Sequence, residues 1–479
     1  MVVGFDLDMT LLDTRTGIKI VWDQLSALTG VAVDSDLAVS RLGSPLVAEM
    51  ANWVAAEQVE EYVERYSSLY PTHAIEPAEL LAGARESLEV VRRAGGQTLV
   101  VTAKNPANAR LHVDHLDLPV DAMVGDLWGV GKGAALREHG AVIFVGDHVH
   151  DVAGARAAGA LAVAVTTGPC SAAELRSAGA DVVMSSLTEF PGWFEEYVFQ
   201  SRLEALTARL AELGSLVVAF SAGADSAFLL AAAVRTLGAD RVAAVTGVSA
   251  SLPAAELAAA EQFCAALGVR HLSAATQEMQ RAGYRANAGD RCYFCKAELI
   301  DVLNRLAEEL GVAAVATGTN ADDSRAGFRP GIKAAAERGA ATPLLDAGLT
   351  KAQIREASHR WGLPTWDKPA AACLSSRIAY GIEVTPMRLS RVERAESAVR
   401  LTLAPSDAEV VNLRVRDLGS RARVEVDSEL VRRLDADPAL SQAVVAAVVT
   451  AGFADAEIDS RGFRSGAMNE MLADPLRYR

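Results

Sequence analysis

Four short stretches in the first third of the chain carry side chains suited to one kind of chemistry. Asp6 and Asp8 stand two residues apart in FDLDMT, so both carboxylates point the same way if this stretch is extended. The other members of the set are Thr102, Lys132, Asp147 and Asp151. Binding sites of open parallel sheets lie outside the carboxyl ends of the strands, so these groups are predicted to converge in one crevice. Carboxylates around a hard cation, with a lysine nearby, suit the neutralisation of phosphoryl charge.

This set resembles the four motifs of the haloacid dehalogenase (HAD) phosphohydrolases, over about residues 1–190. The resemblance implies that Asp6 attacks phosphorus and that Asp8 is the general acid and base. It also implies that the carboxylates hold Mg²⁺ and that a hydroxyl and an amine hold phosphoryl oxygens. We assign Asp6, Asp8, Asp147 and Asp151 to the metal site and Thr102 and Lys132 to the phosphoryl group. About residues 14–78 are expected to form a helical cap that sets substrate choice.

A second chemical stretch, SLVVAFSAGADSAFLL, places a loop of small residues between an apolar strand and a helix. Small residues let backbone N–H groups approach an anion, and the helix N-terminus adds a favourable dipole. The loop lacks the Gly-Lys-Ser/Thr of a Walker A motif. It resembles the SGGxDS loop of the PP-loop ATP pyrophosphatases, which implies ATP binding by Ser221, Gly223, Asp225 and Ser226. Residue 222 is Ala where that family usually has Gly, a change that can cost a backbone conformation or a phosphate contact.

Three cysteines form the third candidate group: Cys292 and Cys295 in RCYFCK, and Cys373 in AACLSSR. In a reducing compartment, a close pair such as Cys292 and Cys295 indicates metal binding first. A CxxC pair can also be redox-active or supply half of a zinc site, but zinc would require a fourth ligand, and no second CxxC or nearby histidine offers one. A neighbouring Arg377 would favour the thiolate form of Cys373.

Several stretches between residues 201 and 479 resemble LarE sulfur transferases, in order and at similar spacing. They are RCYFCK, ATGTNADD, FRPG, TPLLDAGLTKAQIR, GLPTWDKPAAACLSSRIAYG, NLRVRD and EIDSRGFRSGAMNE. The resemblance implies adenylation of a carboxylate of pyridinium-3,5-biscarboxylic acid mononucleotide, release of pyrophosphate, and conversion to a thiocarboxylate during nickel-pincer cofactor biosynthesis. Cys373 would supply the sulfur. Some members of this family sacrifice that cysteine, whereas others hold a [4Fe-4S] cluster with three cysteines, and the chain has the three-cysteine set.

Two arginines on a predicted strand form the fourth group. Arg414 and Arg416 alternate in NLRVRD, so both side chains face one way, and Arg421 and Arg423 can continue that surface. Guanidinium groups bind phosphate with two parallel hydrogen bonds, so the family resemblance implies a site for the nucleotide phosphate, to which Arg377 is also assigned. A solvated basic strand face is the alternative for Arg421 and Arg423.

The elements that must position these residues follow from hydropathy. Short apolar runs alternate with Ala-, Leu- and Glu-rich stretches, which is the pattern of parallel sheets covered by helices. We therefore predict an α/β fold. Its three parts are an HAD-like Rossmannoid domain with its cap (1–195), a PP-loop domain of the adenine nucleotide alpha hydrolase-like type (196–380), and a small α+β substrate-binding domain (381–479).

Composition limits the classes of partner that this chain is expected to bind. The formal net charge is −15 without a polybasic tract, which disfavours a nucleic-acid footprint. No apolar run reaches the roughly 18–20 residues of a membrane span, so a cytoplasmic location is expected. The small nucleotide substrate and the cofactors ATP and Mg²⁺ are what the family resemblances imply. A homo-oligomer stays an open expectation. The alternative is a PP-loop tRNA thiolase whose HAD domain is a non-catalytic binding module; the acidic charge and the intact Asp6 and Asp8 speak against it.

Overall fold

The computed structural model describes residues 1–325, 329–369, 372–404 and 410–464. The chain divides into two compact units, Met1–Val198 and Phe199–Arg479. The second unit comprises both of the later predicted domains, so the domain boundaries at 195 and 380 stay predictions. Among the described residues, no helix combines the length and the apolar character that crossing a bilayer requires.

A six-stranded parallel sheet forms the centre of the first unit, with strand order β5-β4-β1-β6-β7-β8. Its strands are short apolar runs that are buried because helices cover both faces. The strands, including a two-stranded antiparallel pair β2-β3, are β1 (Val2–Phe5), β2 (Leu12–Asp13), β3 (Glu79–Leu80), β4 (Gln97–Val101), β5 (Ala122–Val124), β6 (Ala141–Gly146), β7 (Leu161–Val165) and β8 (Val182–Met184).

Helices follow almost every strand of this sheet, as the alternating pattern predicts. They are α1 (Arg15–Thr29), α2 (Ser35–Ser40), α3 (Leu46–Met50), α4 (Val59–His73), α5 (Ala84–Arg93), α6 (Pro106–His115), α7 (Lys132–Glu138), α8 (Val149–Ala158), α9 (Ala172–Ser177) and α10 (Phe190–Leu213), the last of which crosses the division between the units. Helices α1 to α4 occupy the predicted cap region and have a hydrophobic core of their own, around Trp22, Tyr66 and Tyr70.

The second unit begins with a four-stranded parallel sheet of order β11-β10-β9-β12. Its strands are β9 (Leu216–Ala219), β10 (Val242–Val248), β11 (Arg270–Ala275) and β12 (Ala314–Ala316). The helices around it are α11 (Ala224–Leu237), α12 (Ala254–Leu267), α13 (Ala282–Arg285), α14 (Arg291–Leu310), α15 (Ala321–Arg325), α16 (Pro330–Ala336), α17 (Pro343–Asp346) and α18 (Lys351–Arg360). The α/β class that the alternation of apolar and helical stretches predicts is therefore confirmed.

A three-stranded sheet of order β13-β14-β15 completes the second unit, with β13 and β14 antiparallel and β14 and β15 parallel. Its elements are α19 (Pro386–Leu403), β13 (Leu413–Asp417), β14 (Arg421–Val426), α20 (Ser428–Ala436), α21 (Pro438–Thr450) and β15 (Asp455–Ile458). Arg414 and Arg416 of β13 and Thr317, which follows β12, line one cavity, so this sheet and the parallel sheet both contribute to it.

Candidate active sites

Three carboxylates converge at the carboxyl ends of strands β1 and β6 in the first unit. One oxygen from each of Asp6, Asp147 and Asp151 lies within 4.8 Å of the others. The Nζ atom of Lys132 lies 2.6 Å from Asp6 Oδ1 and 2.6 Å from Asp151 Oδ1. Thr10 also donates a hydrogen bond of 2.9 Å to Asp147. The structure thus brings together four of the residues that the motifs predict.

The charges at this site favour a bound dication. The pKa of Asp6 is raised to about 7, chiefly by burial, which the charge of Lys132 opposes and the charges of Asp151 and Asp8 reinforce. Burial and the charges of Asp151 and Asp6 hold the pKa of Asp147 well above its usual range. One lysine cannot neutralise three buried carboxylates, whereas Mg²⁺ prefers oxygen ligands of this kind. The donor set therefore fits Mg²⁺.

Asp8 stands apart from the three-carboxylate group. Its carboxylate accepts a hydrogen bond from Thr14 and lies 3.0 Å from the Nζ atom of Lys104. Burial raises its pKa, but Lys104 and Thr14 outweigh burial and leave the pKa below its usual value. Lys104 and Thr14 thus favour the ionised form of Asp8, while its assignments as general acid and base and as metal ligand stay predictions.

A cavity of about 320 Å³ lies over these groups. Thr102 and Lys132 line it from the sheet, and Trp22 and Tyr66 line it from the cap helices. Lys104 also lines this cavity and hydrogen-bonds Tyr70 as well as pairing with Asp8, a role that sequence reasoning missed. Its only signal in the sequence is its position two residues after Thr102.

The small-residue loop of the second unit has the geometry of an anion-binding turn. Ser221 and Ser226 face each other across it with their Oγ atoms 3.2 Å apart, and Ser226 donates to the carbonyl oxygen of Gly223 at 3.2 Å. Helix α11 then begins at Ala224, so its N-terminal N–H groups point toward the loop. A Cβ atom on Gly318 would lie 2.9 Å from the backbone nitrogen of Ser226, so the ATGTN segment packs against the helix start only as glycine.

Asp225 offers an unsatisfied oxygen beside this loop. Its Oδ1 atom is buried and has no hydrogen-bond partner among the described residues. Burial raises its pKa, as does the charge of Asp323, while Lys351, 3.9 Å away, lowers it. An orphaned buried carboxylate oxygen is costly unless a cation or a donor arrives with a ligand. The site therefore fits a Mg²⁺ ion that accompanies ATP.

A single cavity of about 680 Å³ unites the predicted groups of the second unit. Its walls include residues from both sheets, and these residues span the chain from Ala219 to Arg464. They comprise Ser221, Gly223, Asp225 and Ser226 of the loop, the three cysteines Cys292, Cys295 and Cys373, and the arginines Arg414 and Arg416.

The cysteines share this wall without forming a tight cluster, since among the described residues the three sulfur atoms do not all lie within 4.8 Å of one another. The Sγ atom of Cys373 lies 2.9 Å from the Oγ atom of Ser375. Burial raises the pKa of Cys295 well above its usual value, and the nearby Cys373 adds to this effect. Three thiols on one cavity wall are a donor set that fits an iron–sulfur cluster with one open iron.

Arg377 is placed differently from its predicted role. It is not among the described residues that line the cavity. Its guanidinium pairs with the buried Glu396 at 2.9 Å and donates to the carbonyl oxygens of Ala372 and Cys373. It therefore holds the backbone around Cys373, and its assignment as a cofactor ligand stays a prediction.

The two predicted phosphate-binding arginines both face the cavity but have different environments. Arg416 forms an ion pair of 2.6 Å with the buried Glu425 and donates to the carbonyl oxygen of Ser376 at 3.1 Å. The pKa of Arg414 is lowered to about 10, chiefly by burial and then by the charge of Arg377. A bound anion would relieve this penalty, so Arg414 has the environment of a phosphate ligand.

Arg421 and Arg423 pair with acidic residues of β15 instead. Arg421 lies 3.0 Å from Asp455, and Arg423 lies 2.8 Å from Glu457. Both pairs are at least partly exposed, which agrees with the alternative that this is a solvated strand face.

Sequence reasoning also missed Arg291 and Lys296, which flank the CxxC pair. Arg291 is buried, hydrogen-bonds Asn287 and donates to the carbonyl oxygen of Ser375 at 2.8 Å. Although burial works against its charge, the thiols of Cys373 and Cys292 raise its pKa. Lys296 lines the cavity, and burial lowers its pKa. The signal for both was their place at the ends of RCYFCK.

Parts of three motifs lie outside the described residues. These are Phe328 of FRPG, Ala370 and Ala371 of the Cys373 motif, and residues 465–470 of EIDSRGFRSGAMNE.

Comparison with known proteins agrees with the division into two sites. Residues 3–156 match the family described as haloacid dehalogenase-like hydrolase, and residues 132–190 match a second HAD-like hydrolase description. A phosphoglycolate phosphatase of Haemophilus influenzae is 25% identical over 198 residues, which are 35% of this chain and 85% of that protein. The first part of the chain is therefore a HAD-superfamily hydrolase domain.

The C-terminal part has relatives of its own. A Synechocystis protein without an assigned function is 39% identical over 275 residues, 57% of this chain and 99% of that protein. The pyridinium-3,5-bisthiocarboxylic acid mononucleotide synthase of Lactiplantibacillus plantarum is 32% identical over 267 residues, 56% of this chain and 93% of that protein. The chain therefore belongs, through its C-terminal part, to the LarE family, and its HAD-like domain is fused in front of that part.

Proposed function

We propose that the second unit is an ATP-dependent sulfur transferase that converts a carboxylate of pyridinium-3,5-biscarboxylic acid mononucleotide to a thiocarboxylate. The observation that carries this proposal is the single cavity that holds the phosphate loop, three cysteines and two arginines. Adenylation needs the first group, sulfur donation the second, and recognition of a nucleotide phosphate the third.

The first step is assigned to the loop. Backbone N–H groups between Ser221 and Ser226 cradle the phosphates of ATP, and Asp225 holds Mg²⁺ through its unsatisfied oxygen. Arg414 binds the substrate phosphate and orients the carboxylate toward the α-phosphorus atom. A carboxylate oxygen bonds to that atom, pyrophosphate leaves, and the acyl adenylate forms.

The second step is assigned to the cysteine wall. Sulfur bonds to the acyl carbon, the bond from that carbon to the AMP oxygen breaks, and AMP leaves. When bound to Cys292, Cys295 and Cys373, a [4Fe-4S] cluster supplies an open iron for a labile sulfide. The residues around Cys373 fix its position, because Arg377 holds its carbonyl oxygen and Arg291 holds that of Ser375.

The discriminating experiment compares two substrates. The full chain is incubated with Mg²⁺ and ATP, and pyrophosphate release is measured with the pyridinium nucleotide or with bulk tRNA. We expect release with the nucleotide only. Release driven by tRNA and not by the nucleotide would overturn this proposal in favour of a tRNA thiolase.

We further propose that the first unit is a Mg²⁺-dependent phosphatase for small phosphate monoesters. Asp6 attacks phosphorus and forms an aspartyl phosphate, and Asp8 protonates the leaving oxygen and then activates water. Lys132, 2.6 Å from Asp6, neutralises the phosphoryl oxygens. The cavity of about 320 Å³ favours a compact organic group, in keeping with the phosphoglycolate phosphatases among the relatives.

An Asp6→Asn variant tests this assignment. The neutral isostere preserves the shape of the site but lacks the nucleophile, so hydrolysis of p-nitrophenyl phosphate should be abolished while sulfur transfer is retained. Asp13→Asn is a matched control, because Asp13 pairs with Arg15 at an exposed position. Equal phosphatase rates in Asp6→Asn and the parent would instead support a non-catalytic binding module.

A further inference from the structure

One tyrosine, Tyr284, lies beside the three cysteines in the wall of the larger cavity, and none of the motifs described above includes it. Tyr284, in α13, is fully buried, yet it is one of the residues that line the cavity. Its hydroxyl makes no well-formed hydrogen bond within the part of the chain that the structure describes. The Cys373 thiol and the hydroxyls of Ser375 and Ser251 flank it.

Such a hydroxyl needs an explanation, because a buried polar group without a partner destabilises the folded state. Phenylalanine would fill the same space without that cost. A tyrosine here is therefore informative about a ligand or an intermediate that the hydroxyl meets during the reaction.

A buried polar chain links the neighbours of the Tyr284 hydroxyl to the backbone beside Cys373. Glu278 is buried and accepts hydrogen bonds from Ser249 and, at 3.1 Å, from Ser251. The carbonyl oxygen of Ser251 in turn accepts a hydrogen bond of 2.9 Å from the backbone N–H of Leu374, the residue after Cys373. Because Ser251 donates to Glu278, the Tyr284 hydroxyl can meet Ser251 only as a donor, so Tyr284 is a hydrogen-bond donor at this wall.

We propose that Tyr284 donates a hydrogen bond to the transferred sulfur, beside Cys373, as that sulfur attacks the acyl adenylate. This inference rests on the proposed sulfur transferase function and deepens it. The donor stabilises negative charge on sulfur and fixes its direction of approach.

The test is Tyr284→Phe in the full chain, with Tyr293→Phe as the matched control. Tyr293 lies next to Cys292 in the same segment, but its hydroxyl donates to Glu337. For Tyr284→Phe we expect pyrophosphate release within about twofold of the parent and thiocarboxylate formation slower by about tenfold or more, the effect of one hydrogen bond to a charged group. The thermal unfolding temperature of the metal-free variant should equal or exceed that of the parent, because an unsatisfied group has been removed. Tyr293→Phe should leave both rates unchanged.

Three results would overturn the inference: a parental rate of thiocarboxylate formation, an equal loss of pyrophosphate release, or a lower unfolding temperature. The last two would show that Tyr284 acts on adenylation or on folding. A Cys373→Ala variant measured in parallel distinguishes failure of the proposed function from failure of the proposed role of Tyr284. Parental thiolation by Cys373→Ala would refute the proposed function itself, whereas loss of thiolation there, with parental thiolation in Tyr284→Phe, would refute only the role of the tyrosine.

Discussion

The buried carboxylates of the first unit predict a dependence of stability on pH that Mg²⁺ should reverse. The perturbation is a rise from pH 5 to pH 8 in the presence of EDTA. The folded-state pKa of Asp6 is about 7, well above the value of about 3.9 for an unfolded aspartate. At Asp6 the folded state therefore binds more protons than the unfolded state. The contribution of Asp6 to folding stability is greatest below pH 4 and is lost as the pH rises through 7.

The magnitude follows from these two pKa values. From pH 5 to pH 8, ionisation of Asp6 stabilises the unfolded chain more than the folded chain. The difference is equivalent to about two pKa units, at about 1.4 kcal/mol per unit. Asp6 alone should thus lower the free energy of unfolding by about 2–3 kcal/mol. Mg²⁺ binds the ionised carboxylates of Asp6 and Asp147, so its stabilising effect should be larger at pH 8 than at pH 5.

Chemical denaturation of the parent and of Asp6→Asn measures this effect, since groups common to both proteins cancel in the difference. The parent should lose about 2–3 kcal/mol relative to the variant between pH 5 and pH 8 in EDTA. The reasoning would be refuted if the difference were flat or had the opposite sign. It would also be refuted if Mg²⁺ stabilised the parent equally at both pH values.

Three further predictions concern the second unit. Anaerobic reconstitution with iron and sulfide should give a brown protein with about four irons per chain, bleached by Cys292→Ala or Cys373→Ala; a colourless protein that converts Cys373 to dehydroalanine in one turnover would show the sacrificial route instead. Asp225→Ala should suppress pyrophosphate release, whereas Cys373→Ala should still release pyrophosphate but yield no thiocarboxylate by mass spectrometry; identical defects would contradict separate roles. Ala222→Gly should change the free energy of unfolding by less than about 1 kcal/mol in denaturation curves, because the backbone strain of alanine at this position is nearly offset by burial of its methyl group and by its stiffer unfolded chain. A larger change would contradict this near-cancellation.

Residue types and strand ends predict which side chains of the first unit converge. Asp6 and Asp147 follow apolar runs that become neighbouring strands β1 and β6, whose parallel pairing brings the two carboxylates together. Lys104 could not be predicted in the same way. Its contact with Asp8 depends on Tyr70 of the cap helix α4, and no local pattern encodes how a cap packs on a sheet.

The arginines of β13 show a second limit. Their alternation correctly indicates that Arg414 and Arg416 face one cavity. It cannot reveal that Arg416 is neutralised by Glu425, because that pair depends on the antiparallel register of β13 and β14. The fully buried Tyr284 is a third case, since a lone tyrosine in a sequence gives no sign that its hydroxyl lies beside Cys373.

At Ala222 in the phosphate loop, free-energy contributions of similar size favour and oppose alanine over glycine. Ala222 has φ of +52°, a left-handed conformation that costs a non-glycine residue about 1–2 kcal/mol. Its methyl group is buried in the core of the second unit, which returns about 0.8 kcal/mol, and alanine restricts the unfolded chain by a further 0.4–1 kcal/mol, roughly, relative to glycine. These terms nearly cancel, so folding stability does not explain why the PP-loop pattern has glycine here. The remaining explanation is the approach of phosphate to the backbone, and the effect of Ala222→Gly should therefore be found in the affinity for ATP rather than in unfolding.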